Sequence, residues 1–238
     1  MKLDILAFGA HPDDVELSCG ATIAKEISLG KKVGIVDLTR GELGTRGSAD
    51  LRDLEAANAA KILGVSVREN LRFADGFFVN DKTHQLEVIK MIRKYQPEIV
   101  FCNAIDDRHI DHPKGSKLVS EACFLSGLVK IETEVEGKKQ EKWRPKHVYH
   151  YIQWKNIEPH FVVDVTGFID IKTASILAYS SQFYVPKSKE PETPITSKNF
   201  KESIHYRSKE LGRLIGVANA EGFTSERYVA VENLDKLI

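Results

Sequence analysis

Short apolar runs alternate along this chain with longer segments in which apolar residues recur at helical spacing. The runs at 3–9, 32–38, 68–73 and 98–103 are read as strands. The segments between them, 16–29, 48–63 and 84–96, are read as helices closed by Gly30, by Gly64 and by Pro97. This rhythm argues for βαβ units and a mostly parallel sheet with helices on both faces. The expected fold is therefore α/β, a Rossmann-like, doubly wound, three-layer α/β/α arrangement forming a single domain over 1–238. Beyond the fourth strand the pattern predicts a helix over 113–130, strands at 147–152 and 161–165, and helices at 168–180 and 198–217. Acid and base alternate from Glu132 to Arg144, which reads as a solvated connection. Pro186 to Ser197 reads either as a mobile surface loop or as a lid over a site, and the pattern does not choose between them.

Charge narrows the function classes. The 34 basic residues cancel 34 acidic ones, so no net field recruits nucleic acid or a membrane surface. Apolar content of 42% and charged content of 29% are those of an ordinary globular protein, and no apolar stretch is long enough to span a bilayer. Met1-Lys2 leads straight into the first strand, so no cleavable signal is expected. Cys19, Cys102 and Cys123 are too few and too scattered for a disulfide framework or a cysteine zinc knuckle. A reducing cytoplasm is the expected compartment.

The chemistry gathers at two strand ends. The first strand runs into Ala10-His11-Pro12-Asp13-Asp14, and the fourth into Asn103 followed by Asp106-Asp107-Arg108-His109-Ile110-Asp111-His112. If the strands take the doubly wound order 3-2-1-4, the first and fourth are neighbours, and the crevice between them is the topological switch point where open α/β sheets bind ligands. Two histidines and a carboxylate are a common donor set for catalytic zinc, with a fourth position left for water. His11, Asp14 and His112 can supply it. A general base must stand beside such an ion without being consumed as a ligand, and spacing alone does not separate Asp13 from Asp14 for the two roles. The plainer reading of either aspartate is an N-cap of the first helix.

The loop after the second strand, Thr39 to Gly47, lacks the spacing of a dinucleotide fingerprint. It offers Arg40 and Arg46, and Arg52 follows in the next helix. Arginine forks recognise carboxylates, so an anionic substrate group is expected; the alternative for Arg52 is an i,i+3 ion pair with Glu55.

The AHPDD segment with a downstream His109-Ile110-Asp111-His112 resembles the LmbE-like or PIG-L-type zinc de-N-acetylases, over essentially the whole chain. Within that family the segment from Asp37 to Gly47 is most similar to the bacillithiol-biosynthesis deacetylases, whose substrate is N-acetylglucosaminyl malate. The resemblance implies one Zn2+ per chain on His11, Asp14 and His112, with other first-row divalent ions suited to the same donors. It implies Asp13 as the general base and a protonated His109 as the partner of the tetrahedral oxyanion. It further implies Asp111 as the residue orienting His109, and Arg52 as a substrate-binding residue, with Arg40 and Arg46 beside it. A small anionic amino-sugar conjugate as substrate, release of acetate, and a homo-oligomer, a hexamer among the options, are implied in the same way. Another acetylated amino sugar, of chitobiose or mycothiol type, and a non-catalytic sugar-binding protein are the competing readings. Many relatives read HPDDE; here Val15 separates Asp14 from Glu16, and Glu16 is read as first-turn helix electrostatics.

Overall fold

Leu6 and Phe8 point to one face of the first strand and Ile5 and Ala7 to the other, and both sets are buried. A strand covered on both faces reads as an unbroken apolar run, which is why its sequence shows no alternation. In the computed structural model, which describes residues 1–183 and 189–236, this strand is β1 (Ile5–Gly9). It is followed by α1 (Asp14–Ser28), β2 (Val33–Thr39), α2 (Ala49–Leu63), β3 (Val67–Phe73), α3 (Lys82–Tyr95), β4 (Ile99–Cys102) and α4 (Asp111–Leu125). The remainder comprises a small hairpin, β5 (Glu134–Val135) and β6 (Lys138–Lys139), then β7 (His147–Tyr151), β8 (Phe161–Asp164), α5 (Ile169–Leu177), α6 (Lys198–Leu214) and β9 (Ala220–Ser225).

Seven strands form one sheet in the order β3-β2-β1-β4-β7-β9-β8. The first four strands stand in the doubly wound order, and pairing is parallel from β3 through to β7. Leu6 and Phe8 pack with Val88 and Ile92 of α3 and with Leu118 and Val119 of α4. Ile5 and Ala7 pack with Val15 and Ile23 of α1, and α5 lies against both α1 and α2. Helices thus cover both faces. Complete burial of a side chain such as Leu6 or Phe8 contributes about 1.5–3 kcal/mol, so β1 is held rigidly from both sides.

Two elements depart from the expectation. The segment from Glu132 to Arg144 holds the β5–β6 hairpin. The last strand, β9, pairs antiparallel with both β7 and β8 and has no counterpart in the expected elements. Ala220, Glu221 and Gly222 have weak strand preference, so the local pattern conceals it. Long-range contacts fix β9 instead. Helix α1 leaves helical geometry at Cys19, with φ −135, and the N–H groups of Ala21 and Thr22 donate to the Glu221 carboxylate at 3.3 and 2.7 Å. Lys172 Nζ completes the cluster 2.5 Å from Glu221.

Because β1, β2, β3, β4 and β7 share one direction, the connections after them all leave at the same sheet edge. Positions 186–188 of the expected loop or lid lie outside the described residues, and 189–197 form neither helix nor strand. Ser197 then caps α6 by accepting the Phe200 N–H at 3.0 Å. Among the described residues no helix is long and apolar enough to cross a membrane. Cys19, Cys102 and Cys123 are buried free thiols.

Candidate active site

The turn after β1 is built by close contacts. Ala10 C=O accepts both the N–H and the hydroxyl of Thr39, at 3.0 and 2.9 Å, which ties the end of β1 to the end of β2. A Cβ on Gly9 would lie 3.0 Å from the His11 carbonyl and 3.3 Å from Asp14 Cβ, so any side chain here would crowd the turn and push its neighbours apart. The His11 N–H donates to Asp14 Oδ2 at 2.9 Å, closing the turn. Asp13 sits at the N-cap of α1 with φ 105, a left-handed conformation costly for a non-glycine residue, and its side chain makes no capping bond. Its carboxylate is left to the crevice.

His11, Asp14 and His112 are brought together. Asp14 Oδ1 is 3.1 Å from His112 Nε2, and Asp14 Oδ2 is 3.6 Å from His11 Nδ1. The opposite nitrogen of each ring is engaged by another carboxylate. His112 Nδ1 is 2.5 Å from Asp107, and His11 Nε2 is 3.1 Å from Asp75 and 3.4 Å from Asp111. Metal-ligating histidines are typically oriented in this way, with one N–H given to an outer carboxylate and the other nitrogen turned inward. Burial disfavours a charged His11, but hydrogen bonds to Asp111, Asp14 and Asp75 outweigh it and hold the ring's pKa well above the ordinary value. For His112 burial is likewise overcome, by Asp14 and Asp107, and its pKa rises to about 9. Asp14 is held well below the carboxylate range against burial, chiefly by His112 and then His11. Four carboxylates around two imidazoles leave a local excess of negative charge, and the inward atoms are two nitrogens and one carboxylate. The residues therefore fit a divalent ion. With one ligand atom taken per residue, the groups whose atoms all lie within 4.8 Å of one another among the described residues are His11, His109 and His112, and His11, Asp75 and Asp111, while Asp14 meets His112 and His11 through different oxygens. Asp75 and Asp111 already take backbone N–H groups from Leu43 and Gly76, at 2.9 and 2.7 Å, which fits them to orient His11.

Asp13 lies beside this group. Arg52 Nη2 is 3.3 Å from its Oδ2 and donates to the Pro12 carbonyl at 2.6 Å. Burial pushes the Asp13 carboxyl up to about 7, with Arg52 opposing the rise and Asp14 adding to it. A base poised near neutrality is well matched to proton transfer at that pH.

His109 packs edge-on to His11, with ring centroids 4.6 Å apart, and stacks on His112 at 5.0 Å. Burial and the neighbouring His11 and His112 lower its pKa, which works against the expected protonated ring. The Asp111 N–H points at its Nδ1 from 3.3 Å, which leaves the proton on Nε2. Asp111 is a second correction. Its carboxylate faces His11, Lys114 at 2.6 Å and the Gly76 N–H, so it orients the His11 ring, and its contact with His109 is made by the backbone. Its position at the start of α4 turns the side chain inward beneath the loop after β3.

The three arginines separate. Arg52 lines the crevice, a cavity of about 980 Å3, and Glu55 instead accepts from the Ser180 and Ser181 hydroxyls at 3.1 and 2.7 Å, so the expected alternative ion pair does not form. Arg40 forks onto Asp53, with Nη2 at 2.6 Å, and reaches Asp50 at 2.5 Å; the acidic start of α2 draws it away from the cavity lining. Arg46 is buried with Nε 3.5 Å from Glu190, also outside that lining. Ile195, from the segment leading into α6, lines the cavity. Glu16 is fully buried in a 2.5 Å ion pair with Arg68 and takes no solvent-facing role.

Asp75, Asp107 and Gln153 are site residues to which sequence reasoning gave no role. Asp107 stands in the His109–His112 loop, five residues before His112, and that proximity was its available signal. Asp75 follows β3 and Gln153 follows β7, so only the shared direction of the parallel strands pointed to either.

A mostly parallel, doubly wound α/β sheet that gathers two histidines, a carboxylate and a buried aspartate at one edge defines a protein of the Rossmann-like class with a candidate metal site. More narrowly, the chain belongs to the PIG-L/LmbE-like deacetylase family. The model of that family, described as PIG-L: GlcNAc-PI de-N-acetylase, matches residues 6–123. A conserved protein of Thermus thermophilus, TT1542, has a solved structure that superposes with a TM-score of 0.87 at 35% identity, covering 98% of each chain. An uncharacterized deacetylase of Escherichia coli K12, YaiS, is 43% identical over 114 residues, 45% of this chain and 61% of that protein; the match spans about three-fifths of that relative. A diacetylchitobiose deacetylase of Thermococcus kodakarensis is 27% identical over 191 residues, 75% of this chain and 70% of that protein.

Proposed function

We propose that this chain hydrolyses the acetamide of an N-acetylglucosaminyl conjugate, with N-acetyl-α-D-glucosaminyl L-malate as the favoured substrate. The observation that carries the proposal is Asp13, buried, free of capping duty and near pH 7, beside the converging atoms of His11, Asp14 and His112. His11, Asp14 and His112 would hold a divalent ion, zinc by choice of donors, whose chemistry there is Lewis acidity toward a carbonyl and toward water.

Asp13 takes a proton from water as the water oxygen bonds to the acetamide carbon. The Nε2–H of His109 is a neutral donor for the oxyanion that forms. The C–N bond then breaks, and the amine nitrogen takes the proton from Asp13. The lowered pKa of His109 favours Asp13 as the carrier of that proton. Acetate and a free glucosaminyl compound are the products.

An anionic aglycone is supported by Arg52 and Arg108, both lining the cavity, and by the likeness of the segment from Asp37 to Gly47 to the malate-specific branch of the family. The names of relatives that act on N-acetylglucosamine compounds support the sugar. A cytoplasmic homo-oligomer belongs to the same reading, and sedimentation of the purified chain tests the assembly.

Acetate release from a panel of N-acetylglucosaminyl malate, diacetylchitobiose and N-acetylglucosaminyl inositol tests the function. The malate conjugate is expected to have the highest kcat/KM. A higher value for either other compound overturns the substrate assignment, and metal-loaded chain that releases acetate from none of them overturns the activity.

A further inference from the structure

We infer that Asn103 and Gln153 form an amide clamp that makes Asp14 a one-oxygen metal ligand, an inference that rests on the metal reading above. Asp14 Oδ2 receives two donors, the His11 N–H at 2.9 Å and Asn103 Nδ2 at 3.0 Å. Both lone pairs of that oxygen are thereby engaged by protein. Asp14 Oδ1 receives Gln153 Nε2 at 3.0 Å and faces His112 Nε2 at 3.1 Å, and the same Gln153 nitrogen stands 3.3 Å from His112 Nε2, so Oδ1 is the oxygen turned toward the imidazole that would share an ion with it.

The two amides also fix one another. Asn103 Nδ2 donates to Gln153 Oε1 at 3.0 Å, and the Ala104 N–H donates to the same oxygen at 3.1 Å. Because a backbone N–H must meet an oxygen, Gln153 has its carbonyl toward Ala104 and its NH2 toward Asp14. Turning Asn103 over would set its oxygen against both Asp14 Oδ2 and Gln153 Oε1. Its actual orientation leaves Asn103 Oδ1 buried without a protein partner among the described residues. Leaving a buried acceptor unmet is costly, and it is tolerated here in exchange for one donor to Asp14 and one to Gln153. Arg207 of α6 braces the arrangement from behind by donating to the carbonyls of Ile152, of Gln153 and of Trp154, the last at 3.0 Å.

Asn103 is therefore a positioning residue. A carboxylate free to turn would offer both oxygens and take an additional coordination position. Held by the clamp, it takes one and leaves the others for water and a substrate oxygen.

The test uses Co2+ as the probe, with Asn103→Ala and Gln153→Met compared against the wild-type chain. Competition with a chelator gives affinity, and the visible absorption of Co2+ reports coordination number, since four-coordinate Co2+ absorbs more strongly than five- or six-coordinate. Wild type is expected to bind one Co2+ with an intense band. Each variant is expected to lose about 10–100-fold in affinity, as outer partners of metal ligands do, and to show a weaker band. Asn103 is fully buried, so Gln153→Met, at the cavity edge, is the variant that answers if Asn103→Ala does not fold. Variants with wild-type affinity and spectrum overturn the clamp alone. A wild-type chain that takes up no ion overturns the metal reading and the clamp with it.

Discussion

Arg52 crosses from α2 to place its guanidinium 3.3 Å from the carboxylate of Asp13 and 2.6 Å from the carbonyl of Pro12. One cation thus both pins the turn that carries the site and offsets part of the desolvation that raises Asp13. The two neighbouring aspartates end in opposite electrostatic states, Asp13 near pH 7 and Asp14 well below the carboxylate range.

Asp13→Asn is expected to keep one divalent ion per chain while activity falls about 10²–10⁴-fold, the scale of a lost general base. Asp14→Asn is expected to lose the ion as well. Elemental analysis of the purified variants beside acetate release separates the two, and the opposite pattern reverses the assignment of roles.

Removing the counter-charge moves the base. Arg52→Met is expected to raise the Asp13 pKa above its value near 7, because the guanidinium is the main force lowering it. The acid limb of the kcat profile then shifts to higher pH, so the loss of rate is larger at pH 6 than at pH 9. Arg52→Lys restores part of the shift. An unmoved limb in Arg52→Met contradicts the coupling.

Asp13 also weakens the fold in a defined pH window. Its carboxyl ionises near pH 4 in the unfolded chain but near 7 in the folded one, so ionisation favours unfolding as pH rises from about 4 to 7. Chelator-treated Asp13→Asn is therefore expected to melt above wild type at pH 8 and with it near pH 4. Equal melting temperatures at pH 8 contradict the burial argument.

His112 depends on Asp107 for its orientation, through the 2.5 Å contact at Nδ1. Asp107→Ala is expected to weaken metal binding about 10–100-fold, measured by chelator competition, with the fold intact by circular dichroism. Arg40→Ala serves as the control, with kcat/KM within about twofold of wild type, because its partners Asp50 and Asp53 lie on α2 and outside the cavity lining.

Much of this site was legible because its parts are local in sequence. His11, Asp13 and Asp14 fall within one turn after an apolar strand, and His109 and His112 within another. The rhythm of strands and helices was enough to expect a doubly wound sheet, and the order of its first four strands is the one assumed for placing the crevice. The role of Asp111 was misread for a physical reason: its nearness to His109 in sequence is satisfied by the backbone, while the side chain is free to meet His11 from the other side. Arg40 and Arg46 looked like Arg52 because a loop's composition says nothing about which carboxylates its side chains will find.

The parallel strands, the edge at which their loops gather and the residue types delivered there follow from the sequence alone, because hydrophobic periodicity is a property of the local chain. Tertiary structure alone decided which atoms face one another. Asp75 from the loop after β3 and Gln153 from the end of β7 reach His11 and Asp14 only through the stacking of parallel strands. β9, whose first three residues have weak strand preference, is tied into the fold through Glu221, which accepts from α1 and from Lys172. The separation of Asp13 from Asp14 has the same origin, since identical side chains differ only in the charges and donors that distant segments bring to them.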